Sequence, residues 1–439
     1  MKFTAYIILV ILFNTLAYSQ DERDLKQCID YALAHNPDVL QQKEKISIDS
    51  INLKINQFDR LPKINLSAHQ GFQLGNTYNV STGIGQKQSS YTNFNLSAQL
   101  DVFQGFLKKY LIKQQKEILK KTKYQYENTR WQLEYDVINA YFQILYENEN
   151  LVNLDFLIEN QKKQVDILQK LNKKQYKSTE DVISAQIDLK NLLLQRQETK
   201  KQIKQYTLKL AGLMFIEPGK IHLKKQADII PAIIDTTSVN IEKLPRLLSY
   251  QQEINLLDIH KKIEKSKRFP QITFNYSFGS NYYHIIGNED VIYNQQTHIL
   301  ESNDFLTQMK NNRLHYLGIG MNIPVFNGFK IKNKLKIIAQ KKQIASYNYQ
   351  SEKQKTLNLY RQLSNEINNA AQQYKMQKEI LKLTEKNYQI KKKKFLKNMI
   401  PYYDWQQINN RYFKAKTKLL QTKYDYLLKL KLLNHFAVN

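Results

Sequence analysis

The stretch Val137-Ile138-Asn139-Ala140-Tyr141-Phe142-Gln143-Ile144-Leu145, running on through Leu151 and Ile158 to Val165, decides the fold. Val137, Ile144, Leu151, Ile158 and Val165 stand seven residues apart without a break. A strict seven-residue apolar repeat holds one seam of an α-helix against a partner. Ile138, Leu145 and Val152 add a second column, so this helix is expected to touch more than one neighbour. Adding 223 to each seam position gives Tyr360, Ile367, Tyr374, Leu381 and Tyr388, again all apolar or amphipathic. The same ungapped offset carries Val102-Phe103-Gln104-Gly105-Phe106 onto Val325-Phe326-Asn327-Gly328-Phe329, Tyr124 and Tyr126 onto Tyr347 and Tyr349, and Asp181 onto Asp404. The chain is an internal duplication built around two long helices.

The 439 residues contain only 12 Gly and 8 Pro, which argues for long regular elements and few turns. The formal net charge is +27. The lysines are dispersed among Gln, Asn and Glu on polar helix faces instead of forming a basic block, so the charge reads as a solvated surface and nucleic acid is not an expected partner. Residues 1–19 have a short positive start at Lys2, an apolar core from Phe3 to Leu16 and small residues in Ala17-Tyr18-Ser19: a secretory signal, with the mature chain expected to begin at Gln20. No later stretch approaches the run of roughly 20 apolar residues that a membrane-spanning helix requires. An exported chain of this kind can cross a membrane only with strands. Cys28 is the single cysteine, so no intrachain disulfide is possible, and it reads as a small apolar residue on the first helix.

Repeat one is expected over 20–217 and repeat two over 246–439, joined by a linker at 218–245 that Pro218, Pro231 and Pro245 punctuate. A helix from Asp24 to about Phe58, interrupted near Pro37, ends at Arg60-Leu61-Pro62, since the residue before proline is pushed out of the helical region. The period then changes to two. Ile64, Leu66 and Ala68 mark one strand, and Phe94, Leu96, Ala98, Leu100 and Val102 mark another that ends at Gly105. Gly75 to Ser90 between them reads as a loop. A long helix from about Leu107 to Lys174 follows, then a reversal with Asp181 placed to cap the helix that returns to Leu213.

Repeat two has the same order. A helix from Leu247 to Lys267 ends at Arg268-Phe269-Pro270, and Ile272, Phe274, Tyr276 and Phe278 form a strand. Ser280 to Asn312 reads as a polar loop, and His315, Leu317, Ile319, Met321, Ile323 and Val325 form the next strand. Gly328 turns the chain into a long helix to Lys397, and a return helix ends at Phe436. Four strands cannot close a membrane barrel, whose smallest examples have about eight. An open edge cannot face lipid. The strands are therefore expected to be pooled between protomers.

In these features the chain resembles the TolC-like outer-membrane efflux family. The resemblance is carried by Leu25 to Asp38 (LKQCIDYALAHNPD), by Arg60 to Ile64, by Leu100 to Phe106 (LDVFQGF), and by their counterparts Arg268 to Ile272 and Pro324 to Phe329. Lys209-Leu210-Ala211-Gly212-Leu213 is similar to the family's usual end of repeat one. The resemblance implies a homotrimer with a twelve-stranded β-barrel in the outer membrane, so a mainly α fold with a membrane β-barrel contribution. It also implies an α-helical tunnel in the periplasm docked to an adaptor and an inner-membrane transporter, and no cofactor. The chain departs from the family at the reversals, where Ser178-Thr179 and Asn398-Met399-Ile400-Pro401 replace a frequent Gly.

Catalytic and metal chemistry find no footing. The eight histidines are scattered with none paired at ligand spacing, and no serine or cysteine constellation suggests a nucleophile. Gly83-Ile84-Gly85 and Gly318-Ile319-Gly320 do not sit between a strand and a helix as a phosphate loop requires. The residues left for function are Asp181 and Asp404, with Tyr402, Tyr403 and Trp405 beside the latter. Either the aspartates are helix caps or they form an acidic constriction at the tunnel end, with the tyrosines packing or gating. Two readings follow: a passive export duct, or an exported coiled-coil scaffold or adhesin whose alternating segments are short soluble hairpins.

Overall fold

The structure is a computed structural model that describes residues 22–75, 77–78, 85–86, 88–224, 240–296, 298–397 and 399–437. The signal segment 1–19, Gly83-Ile84, most of the linker and Asn398 lie outside the described residues. In chain order the elements are α1 (Leu25–His35), α2 (Pro37–Phe58), β1 (Lys63–Gln73), β2 (Thr77–Tyr78), β3 (Gly85–Gln86), β4 (Ser89–Gln104), α3 (Leu107–Lys173) and α4 (Thr179–Met214). Repeat two supplies α5 (Pro245–Ser266), β5 (Gln271–Ile285), β6 (Val291–Asn294), β7 (Ile299–Ser302), α6 (Phe305–Asn311), β8 (Leu314–Asn322), α7 (Lys330–Leu396) and α8 (Tyr402–Ala437).

The offset of 223 is written into the helix boundaries. Both α3 and α7 are 67 residues long, and Leu107 plus 223 is Lys330. Both α4 and α8 are 36 residues long, and Thr179 plus 223 is Tyr402. The turns into the long helices repeat too, with Gly105-Phe106 at φ +61° and +64° and Gly328-Phe329 at +60° and +57°. Each turn is held by an edge-to-face ring pair, Phe103–Phe106 at 5.3 Å and Phe326–Phe329 at 5.6 Å.

Two compact units divide the chain. The first combines residues 1–45, 122–249 and 348–439 and is helical. Its core is the seam: Val137, Ile138, Ile144 and Leu145 from α3 pack with Tyr360, Leu363 and Ile367 from α7 and with Tyr426, Leu427 and Phe436 from α8. Cys28 and Ala32 of α1 join this core, and burial pushes the Cys28 thiol up to about 11. Asn36 breaks the opening helix just before Pro37, and its side-chain amide donates to the Leu213 carbonyl at 2.9 Å, tying α1 to the end of α4. The second column of the seam fails at one position: Val152 is 64% exposed.

The second unit combines residues 46–121 and 250–347 and contains an antiparallel sheet in the order β1-β4-β5-β8. The β4–β5 pair, running from Ser89↔Ile285 to Gln104↔Gln271, joins the two repeats. Its register shifts between Asp101 and Phe103, so Val102 sits in a bulge and does not continue the alternation set by Phe94 to Leu100. Strand β8 stops at Asn322, and the expected Ile323 and Val325 lie beyond it. Pro324 has no N–H for the ladder and keeps the pairing from extending. The expected polar loop Ser280–Asn312 is ordered: β5 reaches Ile285, β6 pairs with β7, and α6 follows. Its buried Gln308 accepts from the Tyr283 backbone N–H at 3.0 Å and donates to the Tyr283 and Asn303 carbonyls. Within the Gly75–Ser90 segment, Thr77–Tyr78 pairs with Gly85–Gln86.

Candidate functional site

Two places carry the candidate functional side chains, the reversals of the helical unit and the faces of the sheet. At the first reversal α3 ends at Lys173, Gln175 takes φ +62°, and the Tyr176 N–H returns to the Leu171 carbonyl at 3.0 Å. The Asn172 side-chain amide donates to the Lys177 carbonyl at 2.8 Å, closing the turn. Helix α4 then begins three residues earlier than a cap at Asp181 would place it. Ser178 is its N-cap, in extended conformation, with its hydroxyl oxygen accepting from the Asp181 N–H at 3.1 Å. Asp181 therefore does not cap this helix; it occupies the third helical position, where its charge meets the positive helix end. Asp404 occupies the same position of α8, three residues after Pro401.

The reversals of the two repeats share one small core. Val165, Leu168 and Ala185 from repeat one pack with Phe395, Tyr402, Trp405 and Ile408 from repeat two. Phe395 stacks on Trp405 at 5.5 Å between centroids, Tyr388 lies 5.1 Å from Trp405, and Tyr388 stacks on Tyr412 at 4.6 Å. Tyr402 is 2% exposed and accepts a 3.4 Å hydrogen bond from the Gln161 amide, which also donates to the Ala185 carbonyl at 2.9 Å. Burial pushes the Tyr402 hydroxyl up to about 12, with the Asp188 and Asp181 charges adding to the shift. Tyr402 is a packing residue of the tip. Tyr403 is 64% exposed and free of that core.

Sequence reading missed Gln161, Asp188 and Gln406. Asp188 accepts from the Gln406 side-chain amide, bridging α4 to α8, and burial raises its carboxyl above the usual range. The available signal was spacing, because Asp188 follows Asp181 by seven residues on the same helix face. Together with Glu147, Glu198 and Asn191, Asp188 lines a cleft of about 890 Å³. Among the described residues no group of His, Cys, Asp and Glu could hold a metal ion.

Of the seam positions, Val137, Ile144, Ile158 and Val165 are buried and Leu151 is half-buried. In repeat two, Tyr360 and Ile367 are buried whereas Tyr374, Leu381 and Tyr388 are half-buried. Pro62 and Pro270 stand where α2 and α5 give way to β1 and β5, and Gly105 and Gly328 where strands give way to α3 and α7.

The sheet has two chemically distinct faces, because directly paired residues share a face. One carries the rows Leu66–Leu96–Phe278, Ile64–Ala98–Tyr276–Leu317 and Leu100–Phe274–Ile319. The other carries Asn65–Ser97–Ser277, Gln99–Asn275–Gly318 and Asp101–Thr273–Gly320. The apolar face is uncovered, with Leu66 at 74% and Ile319 at 77% exposed. Gly318 accommodates the Tyr316 ring, which a Cβ there would strike. Among the described residues the outer edges of β1 and β8 are unpaired.

The family model described as "Outer membrane efflux protein" matches residues 28–214 and 241–435. No curated protein matches the chain in sequence. Among solved structures, the Campylobacter jejuni CmeC outer membrane channel is similar at a TM-score of 0.81 and 18% identity, covering 95% of this chain and 86% of that one. The Vibrio cholerae outer membrane protein VceC gives a TM-score of 0.77 at 14% identity over 94% of this chain and 96% of that one. The open state of the Neisseria gonorrhoeae MtrE outer membrane channel gives 0.75 at 14% over 94% and 88%.

Proposed function

Because the chain belongs to the outer membrane efflux protein family, we propose that it is the outer-membrane duct of a tripartite efflux or type I secretion system, conducting exported molecules passively from a periplasmic adaptor and inner-membrane transporter to the outside. The observation that carries this reading is the two-faced sheet. Its uncovered apolar face suits lipid, its Asn, Ser, Gln and Thr face suits a water-filled lumen, and that alternation is the pattern of outer-membrane barrels. The unpaired edges of β1 and β8 cannot remain open in hydrocarbon. A homotrimer contributing four strands from each protomer closes them into twelve. Exposed stripes on the helices of the strand unit, Ile48, Ile51, Ile55 and Phe58 on α2 and Ile337 and Ile344 on α7, are apolar faces for neighbouring protomers to cover.

In this arrangement the helical unit is a periplasmic tunnel that the reversals terminate. Tyr176, Leu396, Met399 and Tyr403 are all more than 60% exposed there, an apolar surface suited to an adaptor. Asp181 and Asp404, each at the third position of its return helix, supply up to six carboxylates from three protomers as a selective constriction. Transport through such a duct calls for no bond chemistry. Membrane extraction, unheated gel electrophoresis and planar-bilayer recording test the reading together: a heat-sensitive trimer with discrete conductance is expected. Purification as a soluble, non-conducting rod would favour the scaffold reading and overturn the duct.

A further inference from the structure

Beside the helical end of the sheet lies a cavity of about 610 Å³ whose charge is strongly one-sided. Arg60, Lys109, Lys113, Lys116 and Lys262 line it against a single carboxylate, Glu117. Lys109, Lys113 and Lys116 stand at i, i+4 and i+7 of α3, so they share one face of the helix. Arg60 precedes β1 by three residues, and Lys262 lies one turn before the end of α5. All five are exposed. None makes an ion pair or side-chain hydrogen bond among the described residues. Their neighbours behave differently. Lys63 and Lys108 pair with Asp59 and Asp101, Lys121 with Glu253, and Lys267 with Glu264. Those carboxylates are thus committed, and the five cations around the cavity face Glu117 alone.

The position of the cavity says which anion fits. It adjoins the end of the sheet where Lys63, Gln104 and Gln271 lie, and the exposed Phe58, Leu61 and Phe106 flank the same turns. Apolar side chains followed at once by cations make the profile of a membrane interface, where lysine stems lie along acyl chains and their heads meet headgroup phosphates. We propose that this cavity binds the phosphate of an anionic phospholipid headgroup in the leaflet where the strands end. The inference rests on the membrane-spanning reading of the sheet. Phosphate oxygens accept from several cations at once, and each contact is a charge-assisted hydrogen bond.

The test uses the full mature chain in nanodiscs of phosphatidylglycerol or of phosphatidylcholine, with native mass spectrometry counting retained lipid. Lys109→Gln/Lys113→Gln/Lys262→Gln is compared with wild type and with Lys190→Gln/Lys200→Gln/Lys204→Gln, a control on α4. Wild type and control should retain phosphatidylglycerol in preference to phosphatidylcholine. The cavity variant should lose about fivefold in affinity per cation removed, so roughly a hundredfold. Retention should also weaken in high salt. Equal retention by the cavity variant overturns the proposal. So does displacement of the lipid by millimolar inorganic phosphate, which marks a soluble-anion site. A variant that loses its trimer in phosphatidylcholine, with lipid retention unchanged, assigns the cations to a second copy of the chain and overturns it as well. Normal insertion without headgroup preference refutes this site alone, whereas failure of wild type to insert refutes the membrane reading and the site with it.

Discussion

The backbone N–H of Asp181 donates to the hydroxyl oxygen of Ser178 at 3.1 Å, so the serine caps α4 and the aspartate's carboxylate is released from that duty. Ser178→Ala should cost about 1 kcal/mol of local stability. Asp181→Asn should cost less, because only the favourable charge at the helix start is lost. Hydrogen exchange over 178–183 in the two variants checks this. Faster exchange in Asp181→Asn than in Ser178→Ala would restore the aspartate as the cap.

The proposed constriction assigns the tip aspartates to ions. Divalent or trivalent cations added from the tunnel side should block conductance, and Asp404→Asn should weaken that block while leaving the trimer intact. Single-channel recordings with cation added to each side in turn measure it. An unchanged block would remove Asp404 from the constriction.

Burial along the seam separates two adjacent heptad positions. Ile144→Asp places an unpaired charge in a fully packed site and should cost about 3–5 kcal/mol, enough to abolish assembly. Leu151→Asp, at a half-buried position, should be milder and leave detectable trimer. Unheated gels of membrane extracts compare the two.

Gly105 and Gly328 share a left-handed backbone but not their surroundings. A Cβ on Gly105 would stand 2.3 Å from the Ser266 carbonyl oxygen and 2.7 Å from Phe269 Cβ, whereas Gly328 faces open space. Gly328→Ala should cost roughly 1–2 kcal/mol from backbone conformation alone. Gly105→Ala should cost distinctly more and lower the yield of folded protein. Equal melting temperatures for the two variants would contradict this.

Glu147 and Asp188 both have carboxyl groups raised by burial, partly offset by hydrogen bonds from Asn150 and Gln406. A raised folded-state value means the proton binds the folded form more tightly. The stabilisation is therefore present at low pH and lost as pH rises through the raised values. Glu147→Gln/Asp188→Asn should melt higher than wild type at neutral pH, with the gain vanishing below about pH 4. A pH-independent difference would point to packing instead.

Much of this architecture was legible because its signals are local. The heptad from Val137 to Val165, the prolines at 62 and 270 and the glycines at 105 and 328 each act on their own few residues. What escaped depends on distant partners. The Val102 bulge arises from the register against β5, and the order within 280–312 depends on Gln308 reaching back to Tyr283. Asp188 meets Gln406 across 218 residues, and its seven-residue spacing from Asp181 marks the residue but not that partner. The capping of α4 by Ser178 was within reach, since serine three residues before an acidic residue is a common helix start. Asp181 offers a competing cap three residues later, and it repeats as Asp404.

The equal lengths of α3 and α7 restrict how this protein can be altered. Each long helix delivers side chains to one shared tip core, Val165 and Leu168 from one and Phe395 from the other. A single-residue deletion in α3 alone rotates everything beyond it by about 100° and draws it back by about 1.5 Å, which removes Leu168 from the tip core while α7 stays in place. The duct can therefore be lengthened or shortened only by paired edits, the same number of residues in both helices and in steps near seven, with matching changes in α4 and α8. An engineer who wants a longer tunnel must cut the gene in four places at once.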